Sequence, residues 1–223
     1  MRLGIVSDVH GNLPALDSVL RSDVDVEQWI CLGDVVGYYP DASNVCARLQ
    51  EIEAIVIAGN HDAYVTGLLA PASPNEDLTR TQWTRERLDD DCMSWLRNLP
   101  MDLEIKADDK LLRFRHASPW DLETYIYADS SSLSGIDIGY DEVLFLGHTH
   151  WPMKILVSQG IVANPGSVGQ PRDYDPRPSF LVYDTSTGDF DFRRTKYDVV
   201  RYQLYLKKMG WASQSIEILS RLR

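Results

Sequence analysis

The chain has 223 residues, 44% of them hydrophobic and 25% charged, with a formal net charge of −11. This is the composition of an ordinary globular protein, long enough for one large core, and one domain over 1–223 is the simplest organisation. No apolar run is long enough to span a bilayer, and an acidic surface repels the phosphate backbone of duplex DNA, so a membrane and duplex nucleic acid are excluded as expected partners.

The segment Met1–Val6 lacks the longer apolar region and cleavage site of a signal peptide. Cys31, Cys46 and Cys92 are odd in number and form no Cys-x-x-Cys pair, which argues against a disulfide framework and a structural zinc site. The expected location is cytoplasmic.

In chain order, residues 2–7 predict a buried strand, and 12–21 a helix with Leu13, Leu16 and Leu20 on one face. Short apolar strands follow at 28–32 and 54–58, with a helix at 42–51 between them. Strands separated by helices predict βαβ units and a parallel sheet. Residues 60–99 are expected to be mostly helical, including the stretch from Asp77 to Asn98 that carries Leu78, Trp83, Leu88, Trp95 and Leu96. A hairpin is expected over Ala107-Asp108-Asp109, and strands near 143–146, 153–158, 161–163, 179–184 and 189–196. Their short connections favour antiparallel pairing. The tail from Asp198 predicts a helix with Val199, Tyr202, Leu206 and Met209 in one apolar stripe. A parallel half joined to a mostly antiparallel half suggests an α/β fold with a mixed sheet or two packed sheets, helices outside.

Each of the chain's five histidines, His10, His61, His116, His148 and His150, sits at or just after a predicted strand's C-terminal end. They lie in Asp8-Val9-His10, Asn60-His61-Asp62, Phe114-Arg115-His116 and Gly147-His148-Thr149-His150; Gly33-Asp34 has the same form without a histidine. Open α/β sheets bind ligands outside the carboxyl ends of their strands. Alternate residues of an extended segment point the same way, so Asp8 and His10 reach one site, as do His148 and His150. A single histidine at a strand end is more often a hydrogen-bonded surface residue than a ligand. Two aspartates, four histidines and an asparagine together exceed one ion's demand and match two ions sharing a bridge.

In these five blocks the sequence closely resembles the calcineurin-like metallophosphoesterase superfamily, and the small YfcE-like prokaryotic phosphodiesterases within it. "LGDVVGYYPD" and "NPGSVGQPRDYDPR" extend the likeness along nearly the whole chain. The resemblance implies two mixed sheets packed face to face and flanked by helices, a four-layer αββα fold, with a dinuclear site. Carried over motif by motif, Asp8, His10 and His150 would bind the first metal, and Asn60, His116 and His148 the second, with Asp34 bridging. His61 would act on the substrate as general acid, oriented by Asp62. The cofactors implied are two divalent ions, manganese first, with Fe, Ni, Co or Zn accepted by the same ligands. The reaction implied is hydrolysis of small phosphodiesters, nucleotides among them, by a metal-activated hydroxide. A phosphomonoesterase or dinucleoside-polyphosphate hydrolase is the alternative. A protein-interaction scaffold is the alternative of another class, as in the small scaffold subunit of retromer.

There are departures from the pattern. Ala117 follows His116 where the family usually has glycine, which puts the loop's shape in question. Tyr39 and Tyr174 stand where the branch often has glycine, and two tyrosines near the mouth would narrow the substrate range. Arg172 or Arg177 could grip a substrate phosphate; pairing with Asp173 or Asp175 is the favoured reading. Trp120 and Trp151 could stack on a nucleobase; packing against the fold is favoured.

Overall fold

Both faces of the first strand are buried, which requires a layer on each side. In the computed structural model, which describes residues 1–71 and 75–222, Leu3 and Ile5 of Arg2–Val6 (β1) face one core and Val6 faces another. The same alternation recurs in Ser179–Asp184 (β9), where Leu181 and Tyr183 share the inner core with Leu3, while Phe180 and Val182 join the outer one. Period-two alternation with both faces apolar marks a sheet between two layers.

The first sheet has the order β10-β9-β1-β2-β3. Its parallel part is β1, Gln28–Cys31 (β2) and Ile55–Val56 (β3); β9 and Asp189–Arg194 (β10) add to it antiparallel. Helices Leu13–Leu20 (α1) and Ala42–Glu51 (α2) are the crossovers that parallel pairing needs. The second sheet has the order β4-β5-β6-β8-β7. Its strands are Asp102–Ala107 (β4), Lys110–Arg115 (β5), Glu142–Phe145 (β6), Pro152–Val157 (β7) and Gly160–Pro165 (β8). Leu112, Phe114, Val143, Phe145 and Ala163 of this sheet meet Leu3, Ile5, Ile30, Leu32 and Ile57 from the first. Two mixed five-stranded sheets thus pack face to face, flanked by helices.

The second half is less antiparallel than its short connections suggest. β5 pairs parallel to β6, and β6 to β8. The connection between β5 and β6 is long, and its Ile126, Ile136 and Ile138 cover the outer face of the second sheet against Leu144 and Val162. β7 sits at the sheet edge, so β8 returns beside β6 in the same sense. The β4–β5 hairpin forms as expected; Asp108 and Asp109 both adopt positive φ, as a two-residue hairpin turn of the I′ kind demands.

The helical stretch after β3 is broken into Asn60–Thr66 (α3), Glu76–Thr79 (α4), Thr81–Arg85 (α5) and Asp90–Arg97 (α6). Arg80, at φ 54°, separates α4 from α5. The part of the expected helical run at 72–74 lies outside the described residues. In the tail, Val199–Lys208 (α7) buries Tyr202 and Leu206, but Met209 is 41% exposed, so the stripe stops short of the helix end. Ser213–Glu217 (α8) packs beside it. Tyr39 is buried in this cluster; its hydroxyl donates to the Ser215 carbonyl at 3.0 Å, so it anchors the tail rather than narrowing a mouth.

One expectation fails at the cysteines. Cys46 of α2 and Cys92 of α6 form a disulfide, with Cα atoms 6.2 Å apart across 46 residues of sequence. The odd count concealed a pair that two helices bring together over one sheet, while Cys31 stays buried and free. Among the described residues no helix is long and apolar enough to cross a membrane.

Candidate metal centre

The residues just past β1, β2, β3, β5 and β6 meet at one end of the two sheets. Asp8, His10 and His150 place ligand atoms within 4.8 Å of one another, and so do Asp34, His116 and His148. In the first set, His10 Nε2 lies 3.1 Å from His150 Nε2, and Asp8 Oδ1 lies 3.2 Å from His150 Nε2 and 3.8 Å from His10 Nε2. In the second, His116 Nε2 lies 2.9 Å from Asn60 Oδ1. Asp34 Oδ2 lies between the two sets, 3.6 Å from His10 Nε2 and 3.4 Å from His116 Nε2. Metal–ligand bonds of ~2.1 Å put neighbouring donors of one ion roughly 3.0–3.4 Å apart. The 3.1, 3.2 and 3.4 Å spacings fall in that range, the 2.9 Å one just below it, and the 3.6 and 3.8 Å ones above it.

The backbone chooses the tautomers. The Nδ1 atoms of His10, His116 and His150 face the carbonyls of Val36, Leu32 and Gln170 at 3.2, 2.7 and 2.6 Å. A carbonyl can only accept, so each Nδ1 carries the proton and each Nε2 lone pair faces the centre. His148 is turned the other way, with Nε2 on the Glu123 carbonyl at 3.1 Å, which leaves Nδ1 as its ligand atom. The carboxylates are fixed similarly. Asp34 Oδ1 accepts from the His61 N–H at 2.8 Å and Asp8 Oδ2 from the His148 N–H at 3.0 Å. Asp8 Oδ1 is buried with no hydrogen-bond partner, a costly state for a carboxylate oxygen unless a cation meets it. This donor set therefore fits the two divalent ions of the family resemblance.

Asp8, His10, Asp34, His148 and His150 all have positive φ, between 52° and 64°. Extended segments were expected here. Instead each turns through the left-handed region, at a cost of about 1–3 kcal/mol per residue. The turn brings Asp8 and His10 onto the same site by a different route from strand alternation. Ala117 is buried and is not among the positive-φ residues, so it does not need glycine's freedom.

His61, the second residue of α3, lies close to both sets and places a ring nitrogen within 4.8 Å of ligand atoms of His10 and Asp34. Its ring is 4.9 Å from that of His10 and 4.7 Å from that of Tyr38, and its Nδ1 is buried with no hydrogen-bond partner. Burial pushes its pKa down to about 4, against an upward pull from Asp34. His116 is also opposed by burial, yet the charge and hydrogen bond of Asp34 carry it up to about 9. Asp62 does not orient the His61 ring. Its carboxylate accepts from the Gly59 N–H at 2.9 Å and the Val36 N–H at 3.1 Å. Successive helical residues point about 100° apart, so Asp62 holds the helix start and acts on His61 through it. Burial and the charge of Asp34 raise Asp62 to about 7.

Several contributors were not singled out in the sequence. Tyr38 packs on His10 and His61, and Tyr125 lies 4.0 Å ring to ring from His148. Tyr125 has no motif around it, and Tyr38 lies within LGDVVGYYPD, where the departure at Tyr39 stood out instead. The Asn164–Gln170 run supports the centre from below: Ser167 Oγ donates to the Asp8 carbonyl at 2.8 Å, and Asn164 Nδ2 to the Gly147 carbonyl at 2.6 Å. Arg177 pairs with Asp175, and Arg194 with Asp173; Arg172 pairs with neither aspartate. Trp120 is 52% exposed. Trp151 lines a cavity of about 600 Å³ beside Thr149, with Tyr127, Pro152 and Met153, and meets Tyr174 edge to face.

The chain resembles several known proteins, among them the following three. A metallophosphoesterase structure from Sphaerobacter thermophilus is 29% identical, covers 99% of this chain and 98% of its own, and superposes with a TM-score of 0.83. Phosphodiesterase YfcE of Escherichia coli K12 is 27% identical over 198 residues, 79% of this chain and 84% of that protein. The symmetrical bis(5'-nucleosyl)-tetraphosphatase of Photorhabdus laumondii is 31% identical over 129 residues, 54% of this chain and 46% of its own. The family model of the calcineurin-like phosphoesterase superfamily domain matches residues 1–188. The chain belongs to the calcineurin-like phosphoesterase superfamily.

Proposed function

We propose that the protein is a metal-dependent phosphodiesterase acting on small phosphodiesters, nucleotides among them. The observation that carries this reading is the position of Asp34 Oδ2 between His10 Nε2 and His116 Nε2, where one oxygen would serve two ligand sets. Asp8, His10 and His150 would hold one cation, Asn60, His116 and His148 the other, and Asp34 both. Two divalent ions, with manganese as the first candidate, would supply the Lewis acidity that polarises a phosphoryl group and activates water.

The chain's own residues do the rest. Backbone carbonyls hold the imidazole lone pairs on the centre, so ligand geometry is set before substrate arrives. His61, held by α3, is the proton donor to the leaving oxygen. Burial keeps it neutral, and a bound phosphate anion is the charge that would raise its pKa toward neutrality. The cavity beside Thr149, with Tyr127 and Trp151, offers an apolar, aromatic wall to the ester's organic group. A second reading, hydrolysis of dinucleoside polyphosphates, is favoured by the likeness to the Photorhabdus tetraphosphatase.

The test is hydrolysis of bis-p-nitrophenyl phosphate and p-nitrophenyl phosphate by metal-stripped protein, with and without Mn²⁺. Diester cleavage that needs Mn²⁺, with His61→Ala keeping two metals and losing at least a hundredfold in kcat, is the expected result. Loss of metal in that variant would make His61 a ligand. Stoichiometric metal binding without turnover of either ester would favour the scaffold reading.

A further inference from the structure

Arg172 reaches over the metal centre from the segment after β8. Its Nη2 donates to Gln170 Oε1 at 3.0 Å and to the Tyr38 hydroxyl at 3.4 Å, its Nε reaches Gln170 Oε1 at 3.3 Å, and the Tyr125 hydroxyl lies near it. Those two tyrosines lean on different ligand sets. The Tyr38 ring is 4.7 Å from that of His10 and 4.7 Å from that of His61, while the Tyr125 ring is 4.0 Å from that of His148. The guanidinium is therefore held across both sets.

Arg172 forms no ion pair among the described residues, although the more distant charge of Asp8 favours it. Among the described residues no carboxylate lies within 4.0 Å of Arg172, whereas Arg177 and Arg194 each have an aspartate. A half-buried cation held by neutral hydroxyls and an amide, beside a site built for two more cations, is unfavourable unless an anion enters. The guanidinium's planar fork matches two oxygens of one phosphoryl group.

We propose that Arg172 is a substrate-binding residue that grips the phosphoryl group from the side away from the ligand cluster, and that Tyr38 and Tyr125 hold its fork in place. The ligand class is a tetrahedral oxyanion with two free oxygens, carried by a phosphate ester or released as inorganic phosphate. The inference rests on the phosphoesterase reading for its natural ligand, but phosphate binding can be read without turnover.

The experiment is calorimetric titration of inorganic phosphate into the Mn²⁺-loaded protein, comparing wild type, Arg172→Ala, Arg172→Lys and the control Arg177→Ala, each with its metal content and circular dichroism checked. The expected result is at least a tenfold loss of phosphate affinity in Arg172→Ala, a several-fold loss in Arg172→Lys, and none in Arg177→Ala. With bis-p-nitrophenyl phosphate, KM should rise more than kcat falls. Phosphate affinity within twofold of wild type in a folded, metal-replete Arg172→Ala would overturn the proposal. If the alanine variant does not fold, Arg172→Lys decides in the same way, because it keeps the charge and stem and loses only the fork. Wild-type protein that binds no phosphate would overturn it as well. Phosphate binding that depends on Arg172 in a protein that cleaves neither test ester would sink the enzyme reading and leave this one standing.

Discussion

Gly33 separates β2 from Asp34, and replacing it with alanine tests how tightly the centre is built. Its φ is +91°, and an added Cβ would lie 2.4 Å from Gly59 N and 2.7 Å from Gly59 Cα. Two costs follow. Left-handed backbone is unfavourable for alanine by about 1 kcal/mol. The overlap is with backbone rather than a flexible side chain, so the strands must shift, at about 1–3 kcal/mol. The sum, ~2–4 kcal/mol, corresponds to roughly 4–16 °C in Tm for a chain of this size. Gly210 provides the control: its φ is +76°, but nothing lies within 4 Å of its Cβ position. Gly210→Ala therefore carries only the backbone cost, ~1 kcal/mol and roughly 2–4 °C. Thermal melts of chelator-stripped protein read both costs without metal linkage. Gly33→Ala should also bind Mn²⁺ more weakly, because the strain falls between Asp34 and the loop that carries Asn60. If both variants melt together, the close approach of Gly33 to Gly59 is not a real constraint, and the account of a pre-built centre fails.

Two further predictions follow from the same geometry. Asp34→Asn, nearly isosteric, should lower the bound metal below two ions per chain in elemental analysis; two ions retained at wild-type affinity would refute the bridging role. In stripped protein, burial holds His10, His61, His148 and His150 below their usual 6.5, with His61 at about 4 and His148 at about 3. The unfolded chain then takes up protons first, so stability should fall as pH drops from 6.5 toward 4. His116, raised to about 9, contributes fully below pH 6.5 and loses its contribution as pH rises through 9. Asp62, held near 7, and Asp41, raised by burial, oppose the acid loss as two groups against four. A Tm that is flat or rising between pH 6.5 and 5 would refute this balance.

The sequence made the site's membership legible because each histidine follows an apolar strand and sits among small or polar neighbours. Chemistry that needs a lone pair at a strand end leaves that trace. The local conformation was not legible: nothing in Asp8-Val-His10 signals that both flanking residues adopt positive φ, because they are held by hydrogen bonds with Gly33, Asp34 and Ser167 elsewhere in the chain. The role of Asp62 was misread for a related reason. Adjacency to His61 suggested a side-chain contact, while helix geometry directs the carboxylate to Gly59 and Val36. Tyr39 drew attention as a departure from a pattern, but Tyr38 faces the centre, and only the turn after Gly37 decides between them. The Cys46–Cys92 link and the parallel β5–β6–β8 pairing depend on which helices and strands become neighbours, and spacing along the chain does not encode that.

The order in which the chain is synthesised gives the centre one more property. Asp8 and His150 meet although 141 residues intervene, and β9 must still return to pair with β1. During translation the first ligand set cannot close until residue 150 has left the ribosome, and the β1 edge stays open until residues 179–184 emerge. The cations would therefore be late arrivals in folding, and a truncated or half-folded chain would have little claim on scarce metal. Once bound, they would tie the end of the first strand to the second sheet, adding a link to the backbone pairing that β1 already makes with β2 and β9.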